Sequence, residues 1–110
     1  MDTPLDFYHS MFYDENVPLE LNRFMPNHRK IVYYGFSGTI EDLEKTIIQS
    51  EHGTQACGTV SGKNVCKNDK FGISNFNGNA PESKILFAGS YDDVDPDSLG
   101  ELMNKHGSYI

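Results

Sequence analysis

At 110 residues the chain has room for a single domain, spanning 1–110. Nine basic against sixteen acidic side chains leave a net charge of −7, a field that repels phosphate backbones and anionic bilayers at long range. No apolar run approaches the roughly 20 residues that cross a bilayer, and the opening MDTPLDFYHS lacks the basic start and apolar core of a signal peptide. The expectation is a cytoplasmic protein of a bacterial cell or a virus's host, with no membrane partner.

In chain order, Ser10 to Tyr13 is a short apolar run that reads as a buried strand ending at Asp14, Glu15 and Asn16. Pro18 suits the first turn of a helix, with Leu21, Phe24 and Met25 on one face and Pro26 as its stop. IVYYGF, residues 31–36, is the strongest strand signal, being β-branched and aromatic and closed by Gly35 and Gly38. Thr39 followed by Asp42 predicts a capped helix carrying Ile40, Leu43, Ile47 and Ile48, ended by Gly53. Strand, helix, strand, helix argues for a mostly parallel sheet.

Residues 53–80 break this order, being rich in Gly, Asn, Ser and Lys. They predict a flexible loop or insertion with short strands near Gly58-Thr59-Val60 and Asn64-Val65-Cys66. KILFA, residues 84–88, restores a buried strand. A final helix is expected from Asp95 and Pro96, carrying Leu99, Leu102 and Met103.

Candidate chemistry is sparse. Asp14 and Glu15 at the end of a first strand are placed to hold a hard divalent cation, or simply to start a helix. The alternating Asp93, Asp95 and Asp97 begin like a calcium loop, but Ser98 and Asn104 stand where such a loop needs its glycine and its bidentate glutamate. His9, His28, His52 and His106 show no H-x-x-x-H spacing and read as surface residues. GFSG lacks the G-K-[ST] ending of a phosphate loop. Cys57 and Cys66 form no C-x-x-C pair. They are expected to be reduced, with a hairpin-closing disulfide as the alternative in an exported protein.

Taken together, MFYDENVPLELNRFMPNHRKIVYYGFSG resembles the opening of small PIN-like ribonuclease domains of the toxin type, in which a first strand ends in D-E-N-[LV]-P. NVCKNDKFG and KILFAG, then a helix opening on DPDSLGEL, follow in that family's order, so the likeness spans residues 10–106. The resemblance implies a three-layer, mostly parallel PIN-like α/β fold. It also implies acids that bind Mg²⁺ or Mn²⁺ and activate water against an RNA phosphodiester. Asp14 matches the family's first acid. Asp69 matches one near the third strand if one residue is missing there. Glu41 and Asp42 stand one to three positions beyond the second-helix acid. On this reading Asp14 and Asp69 are catalytic, the metal set adds Glu41 and Asp42, and the chain is a toxin–antitoxin component acting on RNA.

The second reading is a non-enzymatic acidic interaction protein: an immunity protein, an antitoxin or a virus-encoded inhibitor. Its surface would be Asp92, Asp93, Asp95, Asp97 and Glu101, an acid run without a base, presented to a basic or cognate protein partner. The convergence of Asp14, Glu41 or Asp42, and Asp69 in space separates the two.

Overall fold

Thr39 caps the helix that its sequence predicts. Its hydroxyl accepts from the Asp42 amide, and the Asp42 carboxylate accepts from the Thr39 amide and hydroxyl. This capping box opens α1 (Ile40–Ile47), which buries Leu43 and Ile47. In the computed structural model, residues 3–49, 51–65, 70–88 and 96–105 are described, without the side chains of residues 74, 96–99 and 102. Before α1 lies β1 (Ile31–Gly35). After it come α2 (His52–Ser61), a 3₁₀ turn (Ile73–Phe76), β2 (Ile85–Ala88) and α3 (Pro96–Lys105).

β1 and β2 pair in parallel, Ile31 opposite Ile85 and Gly35 opposite Ala88, so the chain is an α/β fold with a crossover through α1 and α2. The register shifts between Ile31 and Tyr33. Lys30's carbonyl therefore accepts from Ile85, while those of Val32 and Tyr34 turn to the other edge and accept from Met25 and Asn22. The same shift buries both Ile31 and Tyr34, three positions apart. Around them close Leu5, Phe7, Phe12, Met25, Phe36, Leu43, Ile47 and Phe87. Tyr34 is the hub: its ring meets Phe87 at 4.8 Å and Phe7 at 6.2 Å, and its hydroxyl donates to the Leu5 carbonyl at 2.8 Å.

Four sequence expectations are corrected. Ser10 to Tyr13 is a helical turn, because the amides of Phe12 and Tyr13 both donate to the His9 carbonyl. Only Phe12 of that run is fully buried, so no strand alternation exists. The segment from Pro18 is not a helix. Asn22 takes a left-handed φ of 57° and its side chain binds both the amide and the carbonyl of Phe36, laying residues 22–25 antiparallel along β1. Finally, Gly58-Thr59-Val60 is helical, and Gly53 lies within α2 rather than ending α1.

α2 forms despite poor propensity because its glycines let it approach the rest of the chain. A methyl group at Gly53 would lie 1.9 Å from the Thr3 carbonyl oxygen. At Gly58 it would meet the Met11 sulfur at 3.3 Å. Past its C-terminus, the amides of Asn79 and Ala80 donate to the carbonyls of Thr59 and Val60, which the helix itself leaves unpaired. Gly53→Ala should therefore cost about 3 kcal/mol, since rigid backbone blocks the methyl. Gly58→Ala should stay within about 1 kcal/mol, because a thioether can move and alanine favours helix. Urea unfolding of the two variants measures the contrast.

Candidate functional site

Asp14 is buried, and its carboxylate is occupied by backbone. Oδ1 accepts from the amides of Asn16 at 2.9 Å and Val17 at 3.3 Å, and Oδ2 from the amide of Arg29 at 2.9 Å. Desolvation works to raise its pKa, but the three amides and nearby His28 outweigh it and hold the carboxyl below its ordinary range. The Arg29 guanidinium returns the favour, donating to the carbonyls of Ser10, Tyr13 and Lys63. His28 is buried beside it, and its Nδ1 accepts from the amides of Lys30 and Ile31. Burial pushes its pKa down, so it is neutral with the proton on Nε2. Lys30, also buried, sends its ammonium to the carbonyls of Pro81 and Ser83. These four polar side chains are staples for segments that lack regular structure.

Glu41 and Asp42 belong to the first turn of α1. Asp42 closes the α1 capping box, its pKa lowered first by the Thr39 amide, and Glu41 is exposed in the same first turn. Asp14 and Glu15 line a cavity of about 300 Å³ with Phe7, Tyr8 and Ile40, but Glu41 and Asp42 do not. Asp69, Asp92, Asp93 and Asp95 lie outside the described residues, as does the Asp97 side chain; Glu101 is exposed on α3. Among the described residues, no group of three or more His, Cys, Asp or Glu side chains could hold a metal ion. Cys57 is half-buried on α2, and Cys66 lies outside the described residues.

A second centre, which the sequence reading passed over, is the start of α2. His52 is its first residue and is exposed. The two residues after it fix the N-terminal segment. The Gly53 amide donates to Thr3 Oγ1 at 2.8 Å, and Thr54 Oγ1 accepts from the Asp6 amide at 2.9 Å. Pro4, Leu5 and Phe7 are buried in between. A histidine is thereby presented to solvent from a helix start locked to a segment 50 residues earlier in the chain. The sequence signal was small residues behind a histidine: Gly53 and Thr54, then Gly58 and Gly62.

No known family model matches the chain, and no solved structure does. It is similar to three curated proteins of Dictyostelium discoideum. It is 38% identical over 86 residues, 78% of this chain, to the serine protease/ABC transporter B family protein tagD. With tagB it shares 33% over 105 residues, 92% of this chain, and with tagA 35% over 86 residues, 78% of this chain. Those alignments take up only 4% of tagD and of tagA and 5% of tagB, so the chain spans about one twentieth of these relatives' length. None of the described helices is long and apolar enough to cross a membrane.

Two results are expected from the staples. Asp14→Asn places an amide NH₂ against a backbone donor and should cost about 2 kcal/mol at neutral pH. For both Asp14 and His28 the folded pKa lies below the unfolded one, so their contribution is complete above the unfolded values, about 3.9 and 6.5. Stability should therefore fall on acidification, first as His28 is forced to charge and then as Asp14 is neutralised. Urea midpoints measured from pH 8 to pH 3 check this, and the Asp14→Asn variant should lose the second, carboxylate step.

Proposed function

We propose that this chain carries the proton-transfer part of a serine-protease active site, with His52 as the general base and Asp2 as the acid that orients it. The observation that carries the reading is the Gly53–Thr3 hydrogen bond, which joins the residue after His52 to the residue after Asp2. Asp2 lies outside the described residues, so its assignment rests on chain connectivity. Asp6 is a poorer choice, because its carboxylate already accepts from the Tyr8 amide. Support also comes from the serine-protease part of the three relatives' names. Their transporter part has less to recommend it here, since no G-K-[ST] phosphate loop occurs in the sequence.

In such a site the imidazole takes the proton from a serine hydroxyl as that oxygen attacks the peptide carbonyl, and returns it to the leaving amine. The carboxylate holds the ring through its Nδ1–H and stabilises the imidazolium that forms. Asp, His and Ser in that chain order is one of the arrangements such triads use. Ser61 does not supply the nucleophile. It is buried and sits nine residues along the same helix, about 13 Å of rise from His52.

The PIN-like nuclease and acidic-binder readings draw less from the described residues. Asp14 and Asp42, two of the proposed Mg²⁺ or Mn²⁺ ligands, are engaged by backbone, and Asp69 and most of the 92–101 acids lie outside the described part. Nitrogen-edited NMR of the 110-residue chain tests the protease reading. A downfield, exchange-protected Nδ1–H of His52 is expected, and Asp2→Ala should abolish it while α2 amide shifts persist. Its absence, or its persistence in Asp2→Ala, contradicts the assignment. Mn²⁺-dependent cleavage of single-stranded RNA by the wild-type chain would favour the nuclease instead.

A further inference from the structure

Tyr8 and Tyr13 are large aromatic side chains left half in solvent, 52% and 48% exposed, on the turn that leads out of the core. Their ring centroids are 6.2 Å apart with the planes tilted by 35°, and buried Phe7 backs Tyr8 at 4.3 Å. Together they form a shared wall between two adjoining cavities of about 300 and 470 Å³, both of which also include Asp14 and Glu15. Aromatic faces beside a carboxylate are a recognised environment for a desolvated cation.

We infer that the Tyr8–Tyr13 wall and Glu15 form a recognition site for an arginine side chain of a peptide. The inference does not rest on the role given to His52. Three features select that guest. The Tyr8 hydroxyl donates to Glu44 Oε1 at 2.6 Å, which enriches the ring in electron density and sets a second carboxylate at its edge. That bond first, then desolvation and the charge of Glu44, keeps the Tyr8 hydroxyl protonated to higher pH than usual. The resident cation at the mouth, Arg29, commits three of its donors to carbonyls and has Asp14 as its counter-charge, and among the described residues no base pairs with Glu15. Arginine suits the site better than lysine, because a planar guanidinium stacks on a ring while its fork meets a carboxylate.

The probe is the tripeptide acetyl-Gly-Arg-Gly-amide, titrated into the ¹⁵N-labelled 110-residue chain, with the citrulline peptide as its uncharged isostere. Saturable shifts are expected at Tyr8, Tyr13 and Glu15, weakening as salt is added. Tyr13→Leu should weaken binding about three- to tenfold, and Glu15→Gln should remove most of the salt dependence. Both side chains are exposed, so both variants should keep the wild-type amide spectrum elsewhere. Citrulline should bind at least about tenfold more weakly. Equal binding of citrulline, unchanged arginine affinity in folded Tyr13→Leu, or the absence of saturable shifts at these residues would each overturn the inference.

Discussion

The close approach of α2 to the N-terminal segment is the contact on which the rest of the structure depends. At Gly53 there is no room for even one methyl group against the Thr3 carbonyl, and the glycine amide fills the space with a hydrogen bond to Thr3 Oγ1. Thr54 adds the bond from the Asp6 amide, and Tyr34 reaches from β1 to the Leu5 carbonyl. Residues 3–7 are thus held between a helix and a sheet, and Leu5 and Phe7 become core although they belong to no regular element. The position of His52 follows from that fixation. So does the path of the chain into Tyr8 and Tyr13.

Much of the remaining order is built from polar side chains rather than from long helices or strands. Asp14, His28, Arg29 and Lys30 between them satisfy ten backbone groups, tying residues 10–17 to 28–31, 63 and 81–83. Such staples are specific but expensive, since each buries a polar or charged group that loses water. Removing one partner strands the others. That is why acid, which changes the charge of Asp14 and His28, acts against the fold in a predictable direction.

Elements with strong local chemistry were legible in the sequence. IVYYG declared a strand by branching and aromaticity, ILFA did the same, and Thr39 with Asp42 declared a helix start by capping. The failures came where tertiary contact overrode local preference. SMFY has a strand's composition but is folded into a turn by amides on the His9 carbonyl and by Arg29. Leu21, Phe24 and Met25 have helical spacing, yet Asn22 bonds to the backbone of Phe36 and the segment runs along β1. α2 was invisible because its buried face is Gly53, Gly58 and Ser61, residues that carry no hydrophobic signal. At Asp14 the sequence does not separate a carboxylate that anchors backbone amides from one that holds a cation, and the structure shows three amides on it.

The central claim is that Thr3 sits on Gly53, and proton–proton contacts in solution test it directly. A NOESY spectrum of the 110-residue chain should show strong cross-peaks between the Gly53 α-protons and Thr3, together with contacts from the Tyr34 ring to Leu5. Helical shifts for α2 without any cross-peak between Gly53 and Thr3 would mean that the N-terminal segment does not dock there. The placement of His52 beside the N-terminal segment would then fall with it.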